Sequence, residues 1–308
     1  MDDGRDGLSV AYLTPCYWPE VRRGGERMVH DLAAGLRARG HRPRVVTAHP
    51  GRATRSVEDG VEVVRHRRPP EGRLRRRGYE EHLTHVPSAY RALGAGTDDI
   101  AHAVHVTDGL AAARWSARTG RPSVLTHLGI PDRRELVARR RRLDITLRAA
   151  RGCTCVTAVS RHSADAFQRW LGIDARAIHP PVDMERFQRD GPRADAPTIF
   201  FAAAAEAPHK RVGLLLDAFR LVRRDRPAAR LVLLRPDDPR LAADLVAADD
   251  AVSLVENDAD VLVPSYSAAW VTALPSVGEA FGLVLAESLA CGTPVVGSRH
   301  GGIPEIVD

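Results

Sequence analysis

Short apolar runs rich in β-branched residues alternate with stretches of helical periodicity along most of this chain. "LSVAYLT" predicts a first strand. "GGERMVHDLAAGLRARGH" follows, with Val29, Leu32, Ala33 and Leu36 at helical spacing and Gly40 as a C-terminal stop. "RPRVVTA" predicts the next strand, and the order continues through "VEVVRH", "IAHAVHV", "PSVLTH" and "CTCVTAVS". Short strands of this kind, separated by helices, imply a parallel sheet covered on both faces. Cys153 and Cys155 alternate on the last of these predicted strands and share a face, which suits packing rather than metal ligation.

The pattern breaks at "DMERFQRDGPRADAP", which is polar and has no periodicity. It restarts with "TIFFAAA", the helix "RVGLLLDAFRLVRRD", "ARLVLL", "AAWVTAL" and "GTPVVGS". The expected organisation is a first domain over residues 1–185, a linker over 186–197 and a second domain over 198–308. The expected fold class is α/β, with two Rossmann-like doubly wound domains facing across a cleft and ligands at the carboxyl ends of the strands. The chain stops soon after a predicted strand, so the second domain is expected to be incomplete at its C-terminus.

With 308 residues, 44% of them hydrophobic and 27% charged, the composition is that of a globular protein with room for two domains. There is no run of about 18 apolar residues to span a bilayer. "MDDGRDG" has no apolar core of a secretory signal, which makes cytoplasmic residence the expectation. The four cysteines show no disulfide-framework spacing. A formal charge of +6 favours an anionic partner, and basic residues cluster in "RHRRPPEGRLRRRGYEE" and "RRELVARRRRLD". Aromatics are only 5% and do not interleave with these clusters, so nucleic acid is not expected. The Arg-rich stretch from Arg65 to Arg77 is instead the candidate for contact with an anionic acceptor or an anionic membrane surface. "TPCYWPEVRRGGE" supplies no G-x-G-x-x-G after the first strand, which argues against a dinucleotide oxidoreductase. Neither H-E-x-x-H nor Asp-x-Asp points to a metal.

"GEAFGLVLAESLACGTPVVGSRHGGIPEIV" carries the most chemistry. Glu279 and Glu287 flank Phe281-Gly282-Leu283 and a predicted helix. If that helix starts near Gly282, its free amides and the positive end of its dipole form an anion site. Gly282 lets backbone approach a ligand closely. The two carboxylates can then accept hydrogen bonds from separate hydroxyls of one ligand, with the anion between them, which is the layout of a sugar nucleotide. Lys210 in "AEAPHKRVGLLLDAF" is the only lysine in the chain, where every other basic side chain among the 45 Lys+Arg is an arginine. A compact ammonium differs from a planar guanidinium, being a point charge.

These segments resemble the signature of retaining GT-B glycosyltransferases of family 4, often called group 1. Pro275-Ser276, Glu279, Phe281-Gly282-Leu283, Glu287, "ACGTPVV" and "GGIPEIV" stand in that family's order, and the likeness extends to "GGERMVHDLAAGLRARGHRPRVVT", "VTAVS", "IHPPVDMERF" and "RVGLLLDAF". The resemblance implies that Lys210 lies against a donor diphosphate, that Gly24 and Gly25 let the first loop approach it, and that Glu279 holds hydroxyls of the transferred sugar. Glu287 would hold the ribose, and the amides around Phe281, Gly282 and Leu283 would bind sugar and phosphate oxygens. It further implies a nucleotide-sugar donor, retention of anomeric configuration and no cofactor or catalytic metal.

Two positions depart from the family pattern. Its Gly-Arg pair, six residues before the lysine, is Ala203-Ala204 here, so a bidentate phosphate contact is missing and only His209 or Arg211 stands nearby to compensate. Its active-site histidine, directly before a glycine, is Leu128 here, with His127 one position earlier. On a strand that offset reverses the side chain, while a strand end can absorb it, so His127 is a candidate catalytic residue. His102 and His105 are expected at a strand end. The competing expectation is a homologue that binds nucleotide sugar without turnover, as partner of another transferase.

Overall fold

The computed structural model describes residues 7–69 and 72–307. The first six residues of the acidic start, the Pro70-Glu71 step within the Arg-rich stretch, and Asp308 lie outside the described residues. The chain divides into two compact units, Met1–Pro181 and Val182–Asp308.

The first unit runs β1 (Ser9–Leu13), α1 (Gly24–Ala38), β2 (Arg42–His49), β3 (Thr54–Glu58), β4 (Val61–Arg67), α2 (Val86–Ala95), β5 (Ile100–Ala103), α3 (Val106–Thr119), β6 (Ser123–His127), α4 (Arg133–Val137), α5 (Arg142–Gly152), β7 (Cys155–Ala158), α6 (Arg161–Leu171) and β8 (Arg176–Ala177). The strands lie in the order β3-β4-β2-β1-β5-β6-β7-β8. β1 pairs in parallel with both β2 and β5, and the strand order reverses between β1 and β5. In doubly wound sheets that reversal opens a crevice at the carboxyl ends of the strands. β1 is buried from Val10 to Leu13, so its alternating side chains meet cover on both faces.

β3 departs from the expected all-parallel order: it pairs antiparallel with β4. Asp59 and Gly60 join the two strands with φ of 49° and 75°, both left-handed. A two-residue turn of that hand matches strand twist, which is why Asp-Gly favours it. Cys153 is also placed differently from expectation. It follows α5 as its C-terminal cap, packs into the core, and is not on β7, so it shares no strand face with Cys155.

The second unit runs β9 (Thr198–Phe201), α7 (Val212–Asp225), β10 (Arg230–Leu234), α8 (Pro239–Ala247), β11 (Val252–Val255), α9 (Ala259–Ala268), β12 (Val271–Leu274), α10 (Leu283–Ala290) and β13 (Val295–Gly297). Its order is β11-β10-β9-β12-β13, with every pairing parallel. Here the reversal falls between β9 and β12. Phe200 joins a core with Leu262 and Tyr266, whereas the next residue, Phe201, joins another with Leu215, Phe219 and Leu285. Neighbouring side chains of a strand point to opposite faces, so both faces of this sheet are covered. Residues 186–197, expected as a linker, fold onto this unit. Phe187 is 1% exposed and packs on Phe200 and Tyr266. Asp190 N–H donates to Ser267 Oγ at 2.9 Å, and Trp270 Nε1–H donates to Ala194 O at 2.7 Å.

Candidate functional site

β9 ends at Phe201 and β12 at Leu274, and the connections leaving these two adjacent strands carry Lys210 and Glu279. A short 3-10 turn over Pro208–Lys210 is followed by Arg211 at φ 56° and then by α7. Val277 N–H donates to His209 O at 2.9 Å, fastening one connection to the other. Lys210 Nζ is ion-paired with Glu279 Oε2. The two side chains are 18% and 14% exposed, so the pair is largely shielded from water yet reachable from it. Beside it, burial and the Lys210 charge hold His209 below the usual imidazole value.

Gly282 caps α10 with φ 105° and ψ 44°, a conformation that side-chain-bearing residues rarely adopt, and no side chain caps the helix. Leu285 N–H donates back to Gly282 O at 2.8 Å. Among the described residues, the amides of Gly282, Leu283 and Val284 have no acceptor. Unpaired donors at a helix N-terminus attract anions. Phe281 is 8% exposed and anchors the turn.

Three residues of the "RHGGIPEIV" stretch hold Glu279 in place, a role sequence reading did not assign to them. A Cβ on Gly301 would stand 2.1 Å from Glu279 O, and one on Gly302 2.3 Å from Ala280 O. Gly302 N–H donates to Glu279 O at 2.8 Å. His300 Nδ1 accepts from Gly278 N–H at 2.9 Å. The paired glycines therefore permit a backbone-on-backbone approach that any side chain would block. Glu287 is 1% exposed, and its Oε2 accepts from the Tyr266 hydroxyl at 2.9 Å. Tyr266 was not singled out in the sequence, where it reads as one more apolar residue of α9. Of the two alanines that replace the family's Gly-Arg pair, Ala203 is buried and Ala204 is exposed.

The remaining candidates lie in the first unit. Gly24 and Gly25 open α1 itself, with Arg23 as a cap that makes no side-chain hydrogen bond. Gly25 borders a cavity of about 320 Å³ together with Leu128 and His105, at the carboxyl ends of β1, β5 and β6. His127 is not among the residues lining this cavity. Its ring packs edge-on to Phe167 at 5.0 Å between centroids, and Nδ1 lies 2.9 Å from Gly129 O. Burial lowers its pKa to about 4, so the ring is neutral at pH 7. Leu128 lines the cavity, and His127, half-buried, packs against Phe167. His102, held by burial at about 4, is hydrogen-bonded to Thr126 Oγ1 at 2.7 Å inside the sheet, while His105 caps α3 and reaches the cavity.

Lys210, Glu279, Phe281, Gly282 and Leu283 are therefore gathered at one strand-order reversal, and Gly25 at the other. An ammonium, free amides and an adjacent carboxylate can bind a phosphorylated, hydroxyl-bearing ligand.

Comparison with known proteins agrees with this chemistry. The model described as Glycosyltransferase Family 4 matches residues 22–186, and the one described as Glycosyl transferases group 1 matches residues 196–308. A D-inositol 3-phosphate glycosyltransferase of Saccharomonospora viridis is 40% identical over 157 residues, which is 43% of this chain and 36% of that protein. The chain thus spans little more than a third of the length of such curated relatives. Among solved structures, sucrose-phosphate synthase from Thermosynechococcus elongatus is similar with a TM-score of 0.78 at 21% identity, over 96% of this chain and 82% of that one. Anabaena HepE, solved in complex with UDP and glucose, gives 0.73 at 19% identity over 98% and 83%. The structural likenesses are of fold, and the two family models between them take in nearly all of the sequence: this chain belongs to the group 1, family 4 glycosyltransferases.

Proposed function

We propose that this protein transfers a sugar from a nucleoside diphosphate sugar to an acceptor hydroxyl with retention of anomeric configuration. The observation that carries the reading is the Lys210–Glu279 pair, set beside the uncapped start of α10 where β9 and β12 diverge. The donor diphosphate takes the place of Glu279 on the ammonium and accepts hydrogen bonds from the amides of Gly282, Leu283 and Val284. Glu279, released from Lys210, accepts hydrogen bonds from the sugar hydroxyls. Glu287, braced by Tyr266, is assigned to the ribose.

In the transfer step the bond from the anomeric carbon to the diphosphate oxygen breaks, and its electron pair leaves with the nucleoside diphosphate. Negative charge grows on that leaving oxygen, where Lys210 and the helix amides already stand; preorganised charges of this kind lower the barrier. The acceptor oxygen bonds to the same face of the carbon and gives its proton to the departing diphosphate. Positioning and neutralisation are the protein's tasks. His127, neutral and packed on Phe167, supports the Gly129 turn in this scheme and does not touch the substrate.

A second reading, binding without turnover, draws on Ala204, which leaves the diphosphate without a second cation. One experiment separates the two. UDP-glucose is incubated with the protein, its Lys210→Ala variant and its Glu279→Gln variant, and UDP release is followed alongside calorimetric UDP binding. Turnover lost in both variants supports transfer. Binding of UDP without release by any form supports the second reading, and no UDP binding at all overturns both.

A further inference from the structure

His30 on α1 stands between two carboxylates, an arrangement that the transfer reading does not use. Its Nδ1 lies 3.2 Å from Asp31 Oδ1 and its Nε2 3.2 Å from Asp59 Oδ2. Asp31 is its neighbour on the helix, whereas Asp59 is 29 positions further along, in the tight turn that joins β3 to β4. The ring, 23% exposed, is partly shielded from water and links the helix to the tip of the hairpin. The two contacts decide its protonation. A carboxylate oxygen only accepts, so each ring nitrogen has to donate. A neutral imidazole carries one N–H and can serve one aspartate, which leaves its bare nitrogen facing the lone pairs of the other. The imidazolium alone serves both.

The groups around the ring agree with the charged form. The hydrogen bond to Asp31, and after it the one to Asp59, raise the His30 pKa above the ordinary imidazole value, against the opposing pull of burial. Glu58 on β3 is held below the usual carboxylate value, mainly by its bond to Arg65 and in small part by the His30 charge. Tyr17, from the connection between β1 and α1, sets its ring 6.4 Å from His30, and burial pushes its phenol up, so that it brings no charge. Arg65 on β4 is bound to Glu58 and Glu20, and Arg37, two turns along α1, lies against Gly60 of the turn. Both guanidiniums keep their charge throughout the range in which an imidazole titrates. His49 borders the same hollow of about 870 Å³ as His30, and faces Glu20 at 3.9 Å and the Arg52 carbonyl. Arg37 therefore keeps its charge beside the turn as pH passes through neutrality, while His30 does not.

We propose that His30 is a pH-sensitive clasp between α1 and the β3–β4 hairpin: as the imidazolium it holds the turn through Asp59, and on losing its proton it lets the turn go, while Arg65 keeps the rest of the hairpin in place. The sign follows from the raised value. The clasp's stabilisation is complete below about 6.5, where an unconstrained imidazole titrates, and is lost as pH climbs through the higher value of the folded chain. Asp59 forms one wall of the hollow that Trp18 and Thr54 also border, so release loosens that wall. The inference stands apart from the transfer reading and requires no substrate.

The test follows the histidine side chains of the full chain by NMR across neutral pH, with the His30 signal assigned by its loss in His30→Gln. Hydrogen exchange of the backbone amides from Glu58 to Val61 is measured at the same pH steps and expressed as protection over an unstructured chain. The expected result is a His30 titration above 6.5, and turn protection that falls by roughly two- to fivefold as His30 loses its proton, the scale of one exposed ion pair. Asp59→Asn removes the carboxylate and keeps the turn, because asparagine tolerates the left-handed backbone at this position. In that variant the His30 titration is expected to fall and turn protection to stop following it. Its melting temperature checks that it folds, and the wild-type titration decides the matter if it does not. A His30 that titrates at or below the ordinary imidazole value overturns the proposal. So does the same titration in wild type and Asp59→Asn, or turn protection that ignores the state of His30.

Discussion

Lys210 Nζ and Glu279 Oε2 are ion-paired across 69 positions of sequence, joining the connections that leave two adjacent parallel strands. The pair places the chain's only lysine where a diphosphate would compete for it. A lysine suits this exchange, since a compact ammonium can pass between a carboxylate and a phosphate oxygen by small rotations. A guanidinium would hold Glu279 in a two-pronged clasp. Lys210→Ala is expected to lower UDP-glucose turnover by about a hundredfold or more, the scale of losing one preorganised charge. Its melting temperature should move little, because partly solvated ion pairs contribute about 1 kcal/mol or less. Lys210→Arg is expected to recover UDP binding better than turnover. A full-rate Lys210→Ala enzyme would remove the ammonium from the mechanism.

Gly301 offers a test that touches no ligand in the proposed mechanism. It has φ 66°, and an added Cβ would lie 2.1 Å from Glu279 O. Gly301→Ala must therefore push the Glu279 backbone away as well as strain its own. We expect destabilisation of about 1–3 kcal/mol, read from urea unfolding. Turnover should fall further than this loss explains, because Glu279 is displaced. Ala at the exposed Gly213, where an added Cβ meets nothing within 4 Å, is the control and should cost neither stability nor turnover.

How much of this could be read beforehand varies with how local its cause is. Strand and helix positions were legible because apolar periodicity is local: "TIFFAAA", "ARLVLL" and the α7 stretch fall where β9, β10 and α7 are found. The start of α10 at Gly282 was legible for the same reason, since a glycine ahead of an apolar run marks a boundary. β3 was missed although Asp59-Gly60 signals its hairpin, because Val57 is its one apolar residue and the strand lies on the sheet edge, so no buried alternation marks it. The packing of His127 on Phe167 was not readable from spacing, because the two residues are 40 positions apart. The glycines behind Glu279 and the tyrosine behind Glu287 are long-range contacts with no local signature. Phe187 was the one apolar hint that the polar stretch after α6 is packed and not free.

Arg65 shows how a charge run can hide two different jobs. It stood at one end of the stretch expected to meet anions, yet it is 7% exposed on β4 and bonded to Glu20 at 2.8 Å and to both oxygens of Glu58. Removing it strands two carboxylates. Arg65→Ala is expected to destabilise the first unit by about 1–2 kcal/mol, because Glu20 and Glu58, each about a third exposed, regain water once the guanidinium is gone. Its calorimetric affinity for UDP should stay as in the wild type. Urea unfolding checks the loss, and an unchanged midpoint would mean that the Arg65 bonds carry no stability.

Five imidazoles of the first unit are held below their usual value by burial, His66 and His82 among them. His102 and His127 are held at about 4 by burial, and burial puts His105 well below its usual value. In the unfolded chain each would titrate near the ordinary histidine value of about 6.5. Below that pH the unfolded state binds protons that the folded state refuses, so stability falls as pH drops and rises as pH climbs back. The loss begins near pH 6.5, and for His102 and His127 it is complete only below about 4. Within the window each imidazole contributes up to about 1.4 kcal/mol per pH unit. Urea unfolding at steps from pH 7 to pH 4.5 should show this slope. His102→Gln, which can keep the bond to Thr126 without a titrating group, should flatten the slope by about one proton's worth. A slope unchanged in that variant would mean that His102 takes up its proton while folded.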